Sequence, residues 1–292
     1  MRKILLVLIL IYNCSYSQNS NQKIIAEYED TLTIIAKEIM NANSEKKKRI
    51  ANTAFIKKLK DVLKNDKSFK FPFDSLTTIS RLTSPDKTFR IFNWLLKKDN
   101  GQYEYYAIIH YHNKKHKRYE TITLIDNSEN IRNVEQEELD ATNWYGCIYY
   151  QIAYIRKKGR KHYIMLGRDG NDGYSTKKII DAMYFSGKNK IKFGLPIFKK
   201  NKKQSQKRVV LEYDSKTTIS MRYEEKEQRI IFNNLIPPNK NFEGLKEYYI
   251  PDGTFNEFKH EKGKWFFKKD IDARNKIKGN KIKKIKKGLL PK

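Results

Sequence analysis

Residues Leu166–Ile180, LGRDGNDGYSTKKII, decide how the middle of this chain is built. An apolar run reaches Gly167 and opens into a Gly/Asp loop. Ser175 or Thr176 then stands where an N-cap would start a short helix over 175–184. Glycines, carboxylates and a new helix N-terminus coincide nowhere else, so a ligand is expected here first. Asp169, Asn171 and Asp172 offer oxygens to a hard cation such as calcium, which takes about six to eight of them. The spacing departs from an EF-hand loop, because Gly173 holds the fifth position and no glutamate closes the loop. Nor does a Gly-Lys-Ser/Thr run make it a Walker loop. Arg168 and Lys177 point to a different occupant, an anion seated on the helix N-terminus. The plainer expectation is a tight turn in which Gly and Asn supply positive φ.

Upstream of this stretch, apolar residues recur at helical spacing through Ile24, Ile25, Tyr28, Leu32, Ile35, Ala36, Ile39 and Met40, predicting a helix over 22–42. Asn43-Ser44 interrupts it, and Ser44 caps a second helix to about Lys64, with Phe55, Leu59, Val62 and Leu63 on one face. The short connection makes the pair an antiparallel hairpin. From Ile79 the period becomes two, and strands are predicted at 78–83, 89–97, 103–112 and 119–126. Ser84-Pro85-Asp86-Lys87 is a type I turn signature and Asn100-Gly101 a hairpin signal. In the third strand Tyr103, Tyr105, Ala107, Ile109 and Tyr111 share one face, with Glu104, Tyr106, Ile108, His110 and His112 on the other.

Residues 127–142 read as a polar, acidic connection. Strands follow at 145–156 and 161–167, and beyond the central loop at 190–194, 207–213, 218–223 and 229–233. Two last strands, 245–250 and 264–268, flank a turn at Pro251-Asp252-Gly253. No linker rich in Pro, Gly or Ser divides the chain.

The two ends differ from the body. Arg2-Lys3, the apolar run Ile4–Ile11 and Ser15-Tyr16-Ser17 have the form of a signal peptide cleaved after Ser17. Cys14 offers lipidation instead, although it follows Asn13 rather than a small residue. The mature chain then starts at Gln18, holds only Cys147 and cannot form an internal disulfide. Cys147 sits in the apolar run Trp144–Gln151, where a buried, inert thiol is expected. The formal net charge is +28. Such a balance favours anionic polysaccharide or lipid headgroups, with nucleic acid disfavoured by export. Lysine dominates arginine among the bases, a pattern that biased composition alone also produces. After Asp272 no acidic residue follows. Residues 276–292, with Lys283, Lys284, Lys286 and Lys287, form a basic tail that is either disordered or helical on an anionic surface.

Other chemistry-bearing groups are sparse. His110 and His112, two apart on a strand face, with His116 in the turn after them, have the donor type for zinc but no identified closing ligand. Asp270 and Asp272, with Arg274 beyond, pair two carboxylates on one side of an extended segment. A hydrolase is the rival reading, its site near Asp169 and Asp172 and drawing in Asp270 and Asp272. That requires all four in one concave pocket.

Several blocks occur together: Leu82–Trp94 (LTSPDKTFRIFNW), Asn143–Tyr150 (NWYGCIYY), Leu166–Asn171 (LGRDGN) and Tyr249–Phe258 (YIPDGTFNEF), with endings at Lys262–Trp265 and Asp270–Asn275. In this order they resemble a group of uncharacterised exported proteins of Bacteroidota, over about residues 50 to 275. That group usually carries an aromatic where Arg168 stands. The resemblance implies an exported, single-unit protein of a Gram-negative envelope, and no activity.

Together these features predict an α+β fold. A helical hairpin (22–65) packs on an extensive antiparallel sheet of roughly ten strands within 69–275, left as a meander or curled into a sandwich or open barrel. The segments are a leader over 1–17, one domain over 18–275 and the tail. The expected role is a non-catalytic binding module.

Overall fold

A computed structural model describes residues 2–157, 160–187, 190–201 and 204–273, with side-chain packing from residue 22 and not at 156–160. Residues 1–17, read above as a leader, and the tail lysines 283, 284, 286 and 287 therefore lie outside the residues whose packing is described. The fold is α+β, with two helices at the N-terminus followed by sheets that are almost wholly antiparallel. Among the described residues no helix is long and apolar enough to cross a membrane.

Helices α1 (Arg2–Asn41) and α2 (Glu45–Leu63) form the expected hairpin, and the Ser44 side chain accepts from the Lys47 N–H at the start of α2. Their buried stripes, Ile25, Leu32, Ala36 and Ile39 against Phe55, Leu59, Val62 and Leu63, leave Ile24, Met40 and Ile50 in solvent. The hairpin lies on a four-stranded meander of β1 (Ser80–Thr83), β2 (Phe89–Lys97), β3 (Tyr103–Asn113) and β4 (Arg118–Ile125). Phe92, Trp94, Leu96 and Ile108 form the floor of this first core. Asn52 from α2 accepts the Trp94 Nε1–H at 2.7 Å, so the buried indole is satisfied across the layer.

The opposite face of the meander, with Phe89, Ile91, Tyr105, Ala107 and Ile109, packs on a second sheet. That sheet runs β5 (Leu139–Asp140), β9 (Lys190–Phe193), β8 (Ser175–Ser186), β7 (Arg160–Asp169), β6 (Ile148–Lys157), with β11 (Arg208–Asp214) also on β8. Its far face carries Ile155, Ile164, Leu166, Ile180 and Val209 against a third sheet. The third sheet comprises β10 (Phe198–Lys199), β15 (Lys264–Lys268), β14 (Ile250–Glu261), β13 (Arg229–Ile236) and β12 (Met221–Glu224). Four layers thus enclose three cores, each with one fully buried tryptophan: Trp94, Trp144 and Trp265. The carboxamide of Gln151 on β6 accepts from the Tyr223 N–H and donates to its C=O, closing the open edge of β12.

The expected α+β fold, a helical hairpin on extensive antiparallel sheet, is what the chain forms, with the strands divided among three stacked sheets. Two expectations need correction. Residues 175–184 are strand, not helix: β8 pairs with β7 along one edge and with β11 and then β9 along the other. Being central and covered on both faces, it buries neighbouring residues such as Ile179, Ile180, Ala182 and Met183, whose period does not separate strand from helix. Finally, Lys246–Tyr248 is a short 3-10 turn, and Pro251-Asp252-Gly253 lies inside β14. β15 covers only Glu257–Glu261, so Pro251 occupies a stretch with a free edge, where its missing N–H is tolerated.

A polar cleft between the first two sheets

The β7–β8 hairpin carries the candidate loop to the rim between the meander and the second sheet. Asn171 (φ 51°) and Gly173 (φ 86°) take the left-handed conformations that the turn requires. Asp172 is exposed, and its Oδ1 accepts from the N–H groups of Tyr174 and Ser175. That is the local side-chain-to-backbone bond of a turn.

Asp169 is buried and points the other way, into the space between the sheets. Tyr105 donates its hydroxyl to Oδ1 at 2.8 Å, Tyr145 donates to Oδ2 at 3.3 Å, and the Asn171 N–H reaches Oδ1 at 2.8 Å. The Tyr105 oxygen accepts in turn from the Gly170 N–H at 2.7 Å. Burial raises the Asp169 pKa, opposed by these donors and by the ammonium of Lys177 directly across the strand pair. Burial also pushes both phenols up, and the nearby Asp169 charge adds to the effect. The result is a hydrogen-bonded lock that pins the two sheets together.

Around it opens a cleft of about 460 Å³, walled by Arg49 of α2, Tyr103 and Tyr105 of β3, Asp126 after β4, Tyr145 and Lys177. A recess of about 230 Å³ continues from it and shares Val134, Tyr145 and Lys177. Asp126 is part of the wall. It accepts from the N–H groups of Tyr105, Ser128 and Gly146, and a Cβ at Gly146 would lie 2.4 Å from its carboxylate.

The calcium set does not assemble. Asn171 Oδ1 takes the Lys177 ammonium at 2.8 Å, Asp169 is committed to phenols, and Asp172 faces solvent. Among the described residues no group of three or more His, Cys, Asp or Glu is placed to hold a metal ion. The anion site loses its helix, and its two cations part: Lys177 stands opposite Asp169, whereas Arg168 stands opposite Lys178 on the other face. The four hydrolase carboxylates do not converge either. Asp270 and Asp272 line a separate depression of about 400 Å³ beside Arg222, and Asp172 lines none of these cavities.

The histidines also separate. His110 is buried between Phe69 and Tyr119, His112 is exposed, and His116 lies 2.6 Å from Glu120. Cys147 is buried, and its thiol pKa is raised by that burial, as an inert core cysteine requires. Tyr105 and Tyr145 were missed as site residues. The alternation in β3 placed Tyr105 on the correct face, but no local signal joins Tyr145 to Asp169. No family model, curated protein or solved structure matches this chain.

Proposed function

We propose that this chain is an exported, non-catalytic binding module of a Gram-negative envelope, held to anionic polysaccharide or lipid headgroups by its basic surface. The way the carboxylates are used supports this reading. Glu104, Glu120, Asp181, Glu224 and Glu257 are each tied to a basic partner within the fold. Lysines such as Lys114, Lys115 and Lys117 at the β3–β4 turn stand in solvent, and a formal excess of +28 remains. A surface with that surplus attracts polyanions through many weak, screened contacts. The leader-like pattern of residues 1–17 and the resemblance to exported Bacteroidota proteins support the envelope as the place.

The test is co-sedimentation of protein starting at Gln18 with phosphatidylglycerol vesicles and with phosphatidylcholine vesicles, over a salt series. Binding only to the anionic vesicles, falling steeply with salt and weakened by deletion of residues 276–292, is expected. Equal binding to both lipids, or none at low salt, overturns the reading.

A further inference from the structure

We propose that the cleft between the meander and the second sheet is a binding site for a short, uncharged saccharide. The inference is independent of the basic surface. With about 460 Å³ and an attached recess of about 230 Å³, the space falls within the range of small-molecule sites.

Its lining sets the ligand chemistry. The cations of the larger cleft already have anions: Arg49 bridges Glu45 and Glu104, Lys98 holds Glu129, and Lys177 lies between Asn171 and Glu212, whereas Arg132 and Lys246 stand exposed at the recess. An anionic ligand in the larger cleft would have to displace carboxylates, so a charged polymer is not what that space favours. An apolar ligand would strip water from Lys177, Gln102 and Glu129 without replacing its hydrogen bonds. A hydroxyl both donates and accepts, and therefore serves carboxylate, amide and ammonium alike. The sugar's apolar ring face matches the phenol ring of Tyr103, which is half-buried, whereas Tyr105 and Tyr145 are buried.

Tyr103 is set in advance. A Cβ on Gly170 would lie 2.6 Å from the Tyr103 ring, so the glycine lets that ring pack flush on the loop. A preset aromatic surface loses little freedom on binding. An extended peptide suits the cleft less well. β-strand addition needs free backbone groups, but Asp126 already accepts the Tyr105 N–H where β3 runs past the end of β4.

The test uses protein from Gln18 to Lys292 in about 0.5 M salt, where surface charge is screened within a few ångström. Maltotriose, cellotriose and diacetylchitobiose are titrated by calorimetry and by saturation-transfer NMR, with trialanine and a sulfated disaccharide as contrasts. Saturable binding of at least one neutral sugar is expected, weakened about tenfold or more by Tyr103→Ala and by Lys177→Met. Lys177→Met carries the test if Tyr103→Ala lowers the melting temperature. The proposal is overturned if no neutral sugar saturates, if only trialanine or the sulfated sugar binds, or if folded variants bind as the parent does. Vesicle binding at low salt is read separately, so either proposal can fail alone.

Discussion

Acid should weaken this protein before most of its carboxylates titrate, because two of its core groups are histidines. His110 lies buried under the helical hairpin beside the Arg90 guanidinium, and its pKa is lowered to about 3, first by burial and then by that charge. His162 on β7 is lowered to about 4, first by burial and then by His260. Both folded values lie below the ordinary value of about 6.5, so the unfolded chain takes up these protons first as the pH falls. The stability each provides is fully present above that ordinary value and drains away below it. At pH 5 each histidine has lost about 2 kcal/mol relative to pH 8, about 4 kcal/mol together. Asp169 works in the opposite sense, since a raised carboxyl pKa makes the folded chain bind its proton first. Glu120, lowered to about 2 by its hydrogen bonds to Asn113 and His116, gives way only in the carboxylate range.

Urea unfolding followed by tryptophan fluorescence reads this directly, since Trp94, Trp144 and Trp265 report the three cores. With a slope of about 3 kcal/mol per molar urea, the midpoint should fall by about 1.3 M between pH 8 and pH 5. His110→Phe should remove about half of that pH dependence, whatever it does to stability at pH 8. A midpoint that stays flat down to pH 5, or an acid loss unchanged in a His110→Phe/His162→Phe double variant, would refute the reasoning.

Gly167→Ala should destabilise by about 1–3 kcal/mol through overpacking, because its Cβ would meet Cys147 Sγ at 2.6 Å. Adding Cys147→Ala should recover part of that loss, and strict additivity in the double-mutant cycle would argue against the contact. Calcium and EDTA should give the same melting temperature. A bound ion at a hundred times its dissociation constant would add about 2.7 kcal/mol, so a clear rise would reinstate the Asp169–Asp172 loop as a metal site.

The parts of the fold legible in the sequence are those with a local signal. α1 and α2 each present a single stripe to a core, so Leu32 and Ile39 announce their period plainly, and the meander, although covered on both faces, is cut at its turns. Asn100-Gly101 then places a turn, and Gly101 takes φ 85° as that turn needs. Deeper in the stack the signal fades. β8 buries Ile179 and Met183 toward the meander, and Ile180 and Ala182 toward the third sheet. With both faces dry, Ser175 after a Gly/Asp loop looked like a cap, although only tertiary pairing could decide. The hidden partner of Asp181 illustrates the same limit. Arg208, 27 residues away, lies fully buried at 2.7 Å from it, and nothing local marks the pair.

The candidate site lies at the junction of those two regimes. Its loop was readable because Gly and Asn betray positive φ, but the meaning of Asp169 depends on Tyr105, 64 residues upstream, and Tyr145, 24 upstream. Those phenols meet the carboxylate only because β3 and β7 belong to different sheets packed face to face. The odd-numbered residues of β3 and of β7 both turn toward the shared core, so Tyr105 and Asp169 follow one alternation each into the same space. A side chain one register away on either strand would point out of it, as Arg168 does. The same packing that locks Asp169 leaves the cleft open beside it, because the hydrogen-bonded lock spaces the rims of the two sheets and Gly170 keeps Tyr103 flat against one wall. Site and stability thus share a cause: replacing Asp169 should loosen the sheet contact as well as alter the cleft, whereas Lys177, on the rim, makes none of the hydrogen bonds of the lock.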